Sequence, residues 1–348
     1  MSTSPTFLDE LAFQHRVAHE VNEYYDQLGK TPSEALAELL GISRGVAYKR
    51  LHSKAFFTAR ELAIIQAELD LLVSPLTNQG DPILTFRAPF GDRTGQFSAS
   101  RYLDLLTNAQ DKLGEAYRAG EQPRVLVASS DMPVFYFFSR PVLAAIKLFS
   151  FNLEASELSV SPIQLDTYLE THAEQLARTG QLAQSYLDLE AVEIWSRTPL
   201  DNMLRQVLHL VSLGLLTESG DIERVFDELI SLLNEVHNAI EVGERASGRP
   251  FSLLCNEIHY TNSLILLESE VGSTLYVTFD NPYYLISMQP QAVAYFGRHF
   301  KYLRTMSDPI SRLGQFSAFR FLQAQTDRVE KARQKAQLIV SNRSLEFD

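Results

Sequence analysis

Five basic residues fall between Ser43 and Arg60 with no acidic residue among them: Arg44, Lys49, Arg50, Lys54 and Arg60. Guanidinium and ammonium groups clustered in this way neutralise phosphates, and an arginine in the first turn of a helix can reach a guanine edge. If the segment after Ser43 is helical, Ala47 and Leu51 face one way, four residues apart, and Arg44, Tyr48 and Lys49 face the other. The candidate DNA contacts are therefore Ser43, Arg44, Tyr48, Lys49, Arg50, Lys54 and Arg60. Of these, Lys54 and Arg60 are expected on the sugar-phosphate backbone, setting register without reading sequence. The charge is local. The whole chain carries a net charge of -12, and residues 1–75 hold seven Lys/Arg against ten Asp/Glu. Screening confines charge effects to about 8 Å at physiological salt, so a positive element can still meet phosphate on an acidic protein.

Other residues suggest weaker chemistry. His15 and His19 stand at i, i+4, a chelating spacing, but no third ligand is evident and no metal or other cofactor is expected. Asp131 follows a short apolar run, Trp195 offers a stacking surface, and Asn256 and Glu257 form a polar pair within a strand-like segment. Together Asp131, Trp195, Asn256 and Glu257 are the candidate ligand pocket. Each also has a structural reading: a turn residue before Pro133, a core anchor, and the wet face of an edge strand. The phosphate-cradling glycine loop, the nucleophile elbow and the paired metal motif are all missing, so the chain is read as non-enzymatic. The single Cys255 excludes an internal disulfide and fits a reducing cytosol. No charged-then-apolar leader opens the chain. The most apolar stretch, Met132 to Phe151, is interrupted by Arg140 and Lys147 and reads as buried core, not as a membrane span.

The elements that must position these residues follow from periodicity and caps. Phe13, Val17, Val21, Tyr24 and Leu28 place one stripe on a helix over 6–28. Thr31-Pro32-Ser33-Glu34 predicts a capping box opening a helix over 32–40, which Gly41 ends. Ser43 caps the next helix, 44 to about 52, and Thr58 with Glu61 opens a fourth. Pro and Gly crowd into residues 76–98, a linker or irregular segment. Beyond it, helices are expected at 100–119, 140–150, 162–185, 199–213, 221–243, 290–303 and 309–340. A buried strand is expected at 125–128, with strands at 251–258, 262–268, 273–279 and 283–288 forming an antiparallel meander. The fold class is α+β, predominantly α: an N-terminal four-helix domain over 1–75, then a larger helical domain over 99–340 containing a small antiparallel sheet, and a tail over 341–348.

The segment Leu36-Ala37-Glu38-Leu39-Leu40-Gly41-Ile42-Ser43 resembles the second helix and turn of lambda-repressor-like, Cro-type helix-turn-helix domains. The continuation Ala47-Tyr48-Lys49-Arg50-Leu51, with Phe56-Phe57-Thr58 and Glu61-Leu62, is similar to a group of Bacteroidetes regulators in which this motif precedes an uncharacterised domain. Residues 128–135, 141–149, 193–196 and 256–258 also look like that group. The chain departs from the Cro-type pattern in two places: Ala47 stands for a β-branched residue, and Arg50 for an apolar one, with Leu51 taking the packing role. The resemblance implies a cytoplasmic transcription regulator that binds double-stranded DNA as a homodimer and answers to an unknown effector through its large domain, with the long helices at 221–243 and 309–340 as candidate dimer elements. Two other readings stand beside it. One is a protein-interaction scaffold whose helical bundle never touches DNA. The other is an enzyme with a fused regulatory motif.

Overall fold

The computed structural model describes residues 10–69, 84, 86–88, 99–118, 120–155, 161–256, 263–270, 272–280, 283–310 and 315–346. The chain divides into two compact units, Met1–Thr85 and Phe86–Asp348.

The first unit is built from α1 (Glu10–Gln27), α2 (Pro32–Leu40), α3 (Arg44–Leu51) and α4 (Ala59–Leu69). Its core is small and apolar: Val17 and Val21 of α1, Leu36 of α2, Ala47 and Leu51 of α3, and Ile65 of α4. Gly41 ends α2 with φ +66°, a left-handed conformation that glycine adopts without strain, and its N–H returns to the carbonyls of Ala37 and Glu38. Ser43 then caps α3, its hydroxyl accepting the Val46 N–H at 3.4 Å. The capping box at α4 forms as the sequence suggests. Thr58 N–H donates to Glu61 at 2.6 Å, and Glu61 N–H donates to the Thr58 hydroxyl at 3.2 Å. The box expected at α2 does not form, because the Thr31 side chain makes no cap hydrogen bond. Glu34 turns instead to Arg44, 2.6 Å away, where an opposite charge is on offer.

The second unit holds one seven-stranded sheet: β1 (Arg124–Ser129), β2 (Glu190–Trp195), β3 (Phe251–Cys255), β4 (Leu264–Glu268), β5 (Thr274–Asp280), β6 (Tyr283–Ser287) and β7 (Asp308–Ile310), in the order β6-β5-β4-β1-β2-β3-β7. The sheet is mixed, which corrects the expectation of a small antiparallel meander. β4, β5 and β6 do form a meander, but β1, β2 and β3 run parallel, in register from Val125–Ala191–Phe251 to Ser129–Trp195–Cys255. Parallel neighbours need long crossovers. The first carries α6 (Val134–Phe138), α7 (Pro141–Ala155), α8 (Leu165–Thr171) and α9 (Ala173–Leu187), and the second α10 (Asp201–Leu213) and α11 (Ser219–Val242). The expected helix over 162–185 is thus two, broken at His172. The stretch from 309 opens with β7 before its helix begins. The Thr85-Phe86-Arg87 strand reduces to one antiparallel bridge between Arg87 and Ile286, with Thr85 outside the described residues.

Alternation along the strands separates two faces. Val125, Val127, Ala191, Trp195, Leu253, Ile265 and Leu267 join the main core, together with the crossover helices and α5 (Ala99–Arg118). Leu126, Leu266 and Leu275 point the other way and are also buried. Helix α12 (Pro290–Thr305) lies there, close enough that a Cβ on Gly297 would stand 3.8 Å from Leu266. The last helix, α13 (Gln315–Glu346), packs on α10 and α11. Its inward stripe of Ala318, Leu322, Val329, Ala332 and Ala336 is therefore filled within the chain. The same holds for α11, so the apolar stripes of the two helices expected at a dimer contact are spent on each other. Among the described residues no helix is long and apolar enough to cross a membrane.

Candidate nucleic-acid interface

Helix α3 has one dry side and one wet side. Ala47 is fully buried and Leu51 nearly so, whereas Arg44, Gly45, Tyr48 and Lys49 are exposed. A Cβ on Gly45 would meet nothing within 4 Å, so the first turn of α3 is open to a close approach. The orphan N–H groups and positive dipole end of this turn favour an anion.

Beyond the end of α3 the chain reverses through Ser53, a non-glycine residue held at φ +53°. The Lys54 and Ala55 N–H groups return to the Lys49 carbonyl, at 2.8 and 3.2 Å. This turn brings the Lys54 ammonium to 5.5 Å from the centre of the Tyr48 ring. The other ring partner of Tyr48 is His52, stacked with centroids 3.8 Å apart and planes at 24°. Sequence reasoning did not single out His52, although its i, i+4 spacing from Tyr48 was the available signal. Lys54, Tyr48 and His52 form an exposed cation–aromatic platform beside Lys49.

The remaining sequence-derived residues divide. Ser43 is exposed and caps the helix, and Arg60 is exposed in the first turn of α4. Arg44 is exposed but paired with Glu34. Arg50 is a correction. Its guanidinium turns inward to Glu61, 3.1 Å away, with side chains 16% and 10% exposed, so it fastens α3 to α4 and offers no charge to a ligand. This explains how a basic residue occupies a position that is apolar in Cro-type domains: Glu61 neutralises it, and Leu51 fills the core. Gln14 of α1, also unnoticed in the sequence, is buried and bonds to the Arg50 carbonyl and the Phe57 N–H. His15 and His19 stay exposed on α1, with His19 3.5 Å from Glu23. Among the described residues no group of three His, Cys, Asp or Glu is placed to hold a metal ion.

No family model matches the chain, and no curated protein or solved structure does.

The candidate ligand residues of the large unit gather near one edge of the sheet without lining a common cavity. Asp131 lies just past β1, half-buried, and accepts from Asn202 at 3.3 Å. Burial raises its carboxyl above the usual range, opposed by Lys147, Asn202 and Arg205. Trp195, at the end of β2, is fully buried, and its indole N–H donates to Glu193 at 2.8 Å. Asn256 is buried past β3 and donates to Ser307 at 2.9 Å and to the Met306 carbonyl at 3.3 Å. Glu257 lies outside the described residues. Trp195 belongs to a buried network that the sequence did not reveal. Glu193 is fully buried, pairs with Arg245, and accepts the hydroxyls of Tyr136 at 3.1 Å and Tyr186 at 2.7 Å. Burial first, and the Glu193 charge second, push both phenols well above their ordinary pKa, so both remain donors.

Proposed function

We propose that this chain is a sequence-specific DNA-binding transcriptional regulator in which α2, the Gly41 turn and α3 act as a helix-turn-helix. The observation that carries the reading is the division of α3: Ala47 and Leu51 bind it to the core, while Arg44, Gly45, Tyr48 and Lys49 are presented together to solvent. In this reading the first turn of α3 enters the major groove and Arg44 exchanges Glu34 for a base edge or phosphate. Tyr48 contacts a base, while Lys49, Lys54 and Arg60 hold the backbone. One short recognition helix makes too few contacts for tight specific binding, so the chain works as a homodimer on two half-sites about one helical turn apart. The unit from Phe86 onward then serves effector sensing or dimerisation, in the cytoplasm.

The second reading, a protein-binding bundle, draws on the charge count. Glu34 and Glu61 occupy two of the five cations of the basic segment. One experiment separates the two readings. Purified chain is used to select from a random duplex pool at two salt concentrations. The regulator reading expects a two-fold symmetric site, with affinity falling steeply as salt rises, and loss of that site in the Arg44→Ala/Lys49→Ala variant. Failure to enrich any sequence at low salt, with and without added cell extract, would overturn it in favour of the bundle.

A further inference from the structure

In the unit from Phe86 onward, α5 and α9 do not close completely on the sheet. Between them and β1, β4, β5 and β6 lies a cavity of about 60 Å³. Its walls include Leu106 and Leu113 of α5, Leu182 of α9, Val125 of β1 and Ile265 and Leu267 of β4, and no charged side chain lines it. At the ~30 Å³ a water takes in the liquid there is room for about two. A buried water needs two to four polar partners, and aliphatic walls supply none, so such a space stays dry and favours an apolar guest.

One polar group in the wall has nothing to do. Gln110 donates to Ser185 at 2.8 Å, Tyr186 donates to Glu193 at 2.7 Å, and Tyr284 is hydrogen-bonded to Tyr102. The Tyr276 ring lines the cavity and is 8% exposed, yet its hydroxyl has no hydrogen-bond partner among the described residues. Burial lifts its pKa far above neutrality, which keeps the proton on and makes it a donor. A buried donor without an acceptor is costly, and a guest oxygen would remove that cost.

We propose that this cavity is a binding site for a compact, neutral, mainly hydrocarbon molecule carrying one acceptor oxygen, which takes a hydrogen bond from Tyr276. The aliphatic walls select a neutral body, and the single donor selects one polar atom. A guest also bears on the buried network. Phe135 and Tyr186 both line the cavity, stacked 4.5 Å apart, and Tyr186 holds Glu193. Any effect of the guest on DNA affinity rests on the regulator reading, but the site itself does not.

The test is isothermal titration calorimetry of the full chain, without DNA. Three probes share one ring: cyclopentanone, cyclopentane and cyclopentanecarboxylate. The expected result is saturable binding of the ketone and the hydrocarbon, and none of the anion. Tyr276→Phe keeps the ring and removes the donor. It should weaken cyclopentanone about three- to tenfold, the worth of one neutral hydrogen bond, and leave cyclopentane unchanged. Ala109→Leu narrows the cavity and should abolish both, with circular dichroism confirming the fold. If that variant fails to fold, the Tyr276→Phe comparison decides alone. The proposal is overturned if neither neutral probe saturates, if the carboxylate binds as well as the ketone, or if Tyr276→Phe binds the ketone as the parent does.

Discussion

Gln14 accepts the backbone N–H of Phe57 at 2.9 Å across 43 residues of sequence. The same side chain donates to the Arg50 carbonyl at 2.8 Å, so one buried amide on α1 fixes both ends of the segment that follows α3. Tyr48, His52 and Lys54 owe their arrangement to that segment. Replacing Gln14 by Leu leaves the Arg50 carbonyl with the Ser53 N–H but strips the buried Phe57 N–H of its partner. The expected cost is about 1–3 kcal/mol, the desolvation penalty of one unsatisfied buried group. Urea unfolding followed by far-ultraviolet circular dichroism measures it, and an unchanged midpoint would mean that water replaces the amide.

Arg50 and Lys49 are neighbours in sequence with opposite roles. Arg50→Met removes the partner of a mostly buried carboxylate and should destabilise the first unit by about 1–3 kcal/mol, the range of a charged hydrogen bond. Lys49→Ala removes an exposed charge and should leave stability within about 0.5 kcal/mol. Under the proposed function the ranking reverses in binding. Lys49→Ala lowers the slope of log affinity against log salt by about 1, and folded Arg50→Met leaves it unchanged. Equal slopes for Lys49→Ala and the parent would remove Lys49 from the interface.

The Glu193–Arg245 pair sits where neither charge can reach water. Arg245→Met leaves the carboxylate with three neutral donors, the Tyr136 and Tyr186 hydroxyls and the Trp195 indole. That does not offset the lost charge, and the expected cost is about 3–5 kcal/mol. Trp195 is the single tryptophan, so its emission follows unfolding of this unit directly. The variant should also regain stability as pH falls, because protonating Glu193 removes the uncompensated charge. A cost below about 1 kcal/mol would assign the stability of the site to the tyrosines and the indole.

Local signals and long-range ones were legible to different degrees. Pro32, Gly41, Ser43 and Thr58 act on their own backbone, and the helices they bound fall within a residue or two of expectation. Glu34 stood at the right spacing for a cap, but Arg44, ten positions on, took its carboxylate. β2 escaped notice because Glu190 and Glu193 interrupt its apolar run, and only Arg245, folded back from beyond α11, makes a fully buried Glu193 tolerable. Phe251–Cys255 was assigned to the meander by adjacency, whereas its partner β2 lies more than fifty residues earlier. The cavity had no sequence signature. Leu106, Leu182 and Ile265 each read as ordinary core, and only their meeting leaves a space.

Asp131 supplies a pH test of the sheet edge. Its folded pKa is raised above the model-peptide value of 3.8, with burial as the leading cause and Lys147 the main opposing charge. Between the unfolded and folded values the native state holds the extra proton, so stability falls as pH rises through that window, and the penalty persists to neutral pH. Asp131→Asn removes the charge and keeps a group that can meet Asn202. The variant should therefore outlast the parent in urea near pH 7, and the gap should narrow as pH drops to about 4 and below, where the parent carboxyl is neutral in both states. A variant less stable than the parent near pH 7 would reverse the order of the two effects: the attraction of Lys147 for an ionised Asp131 would then exceed the cost of burying it.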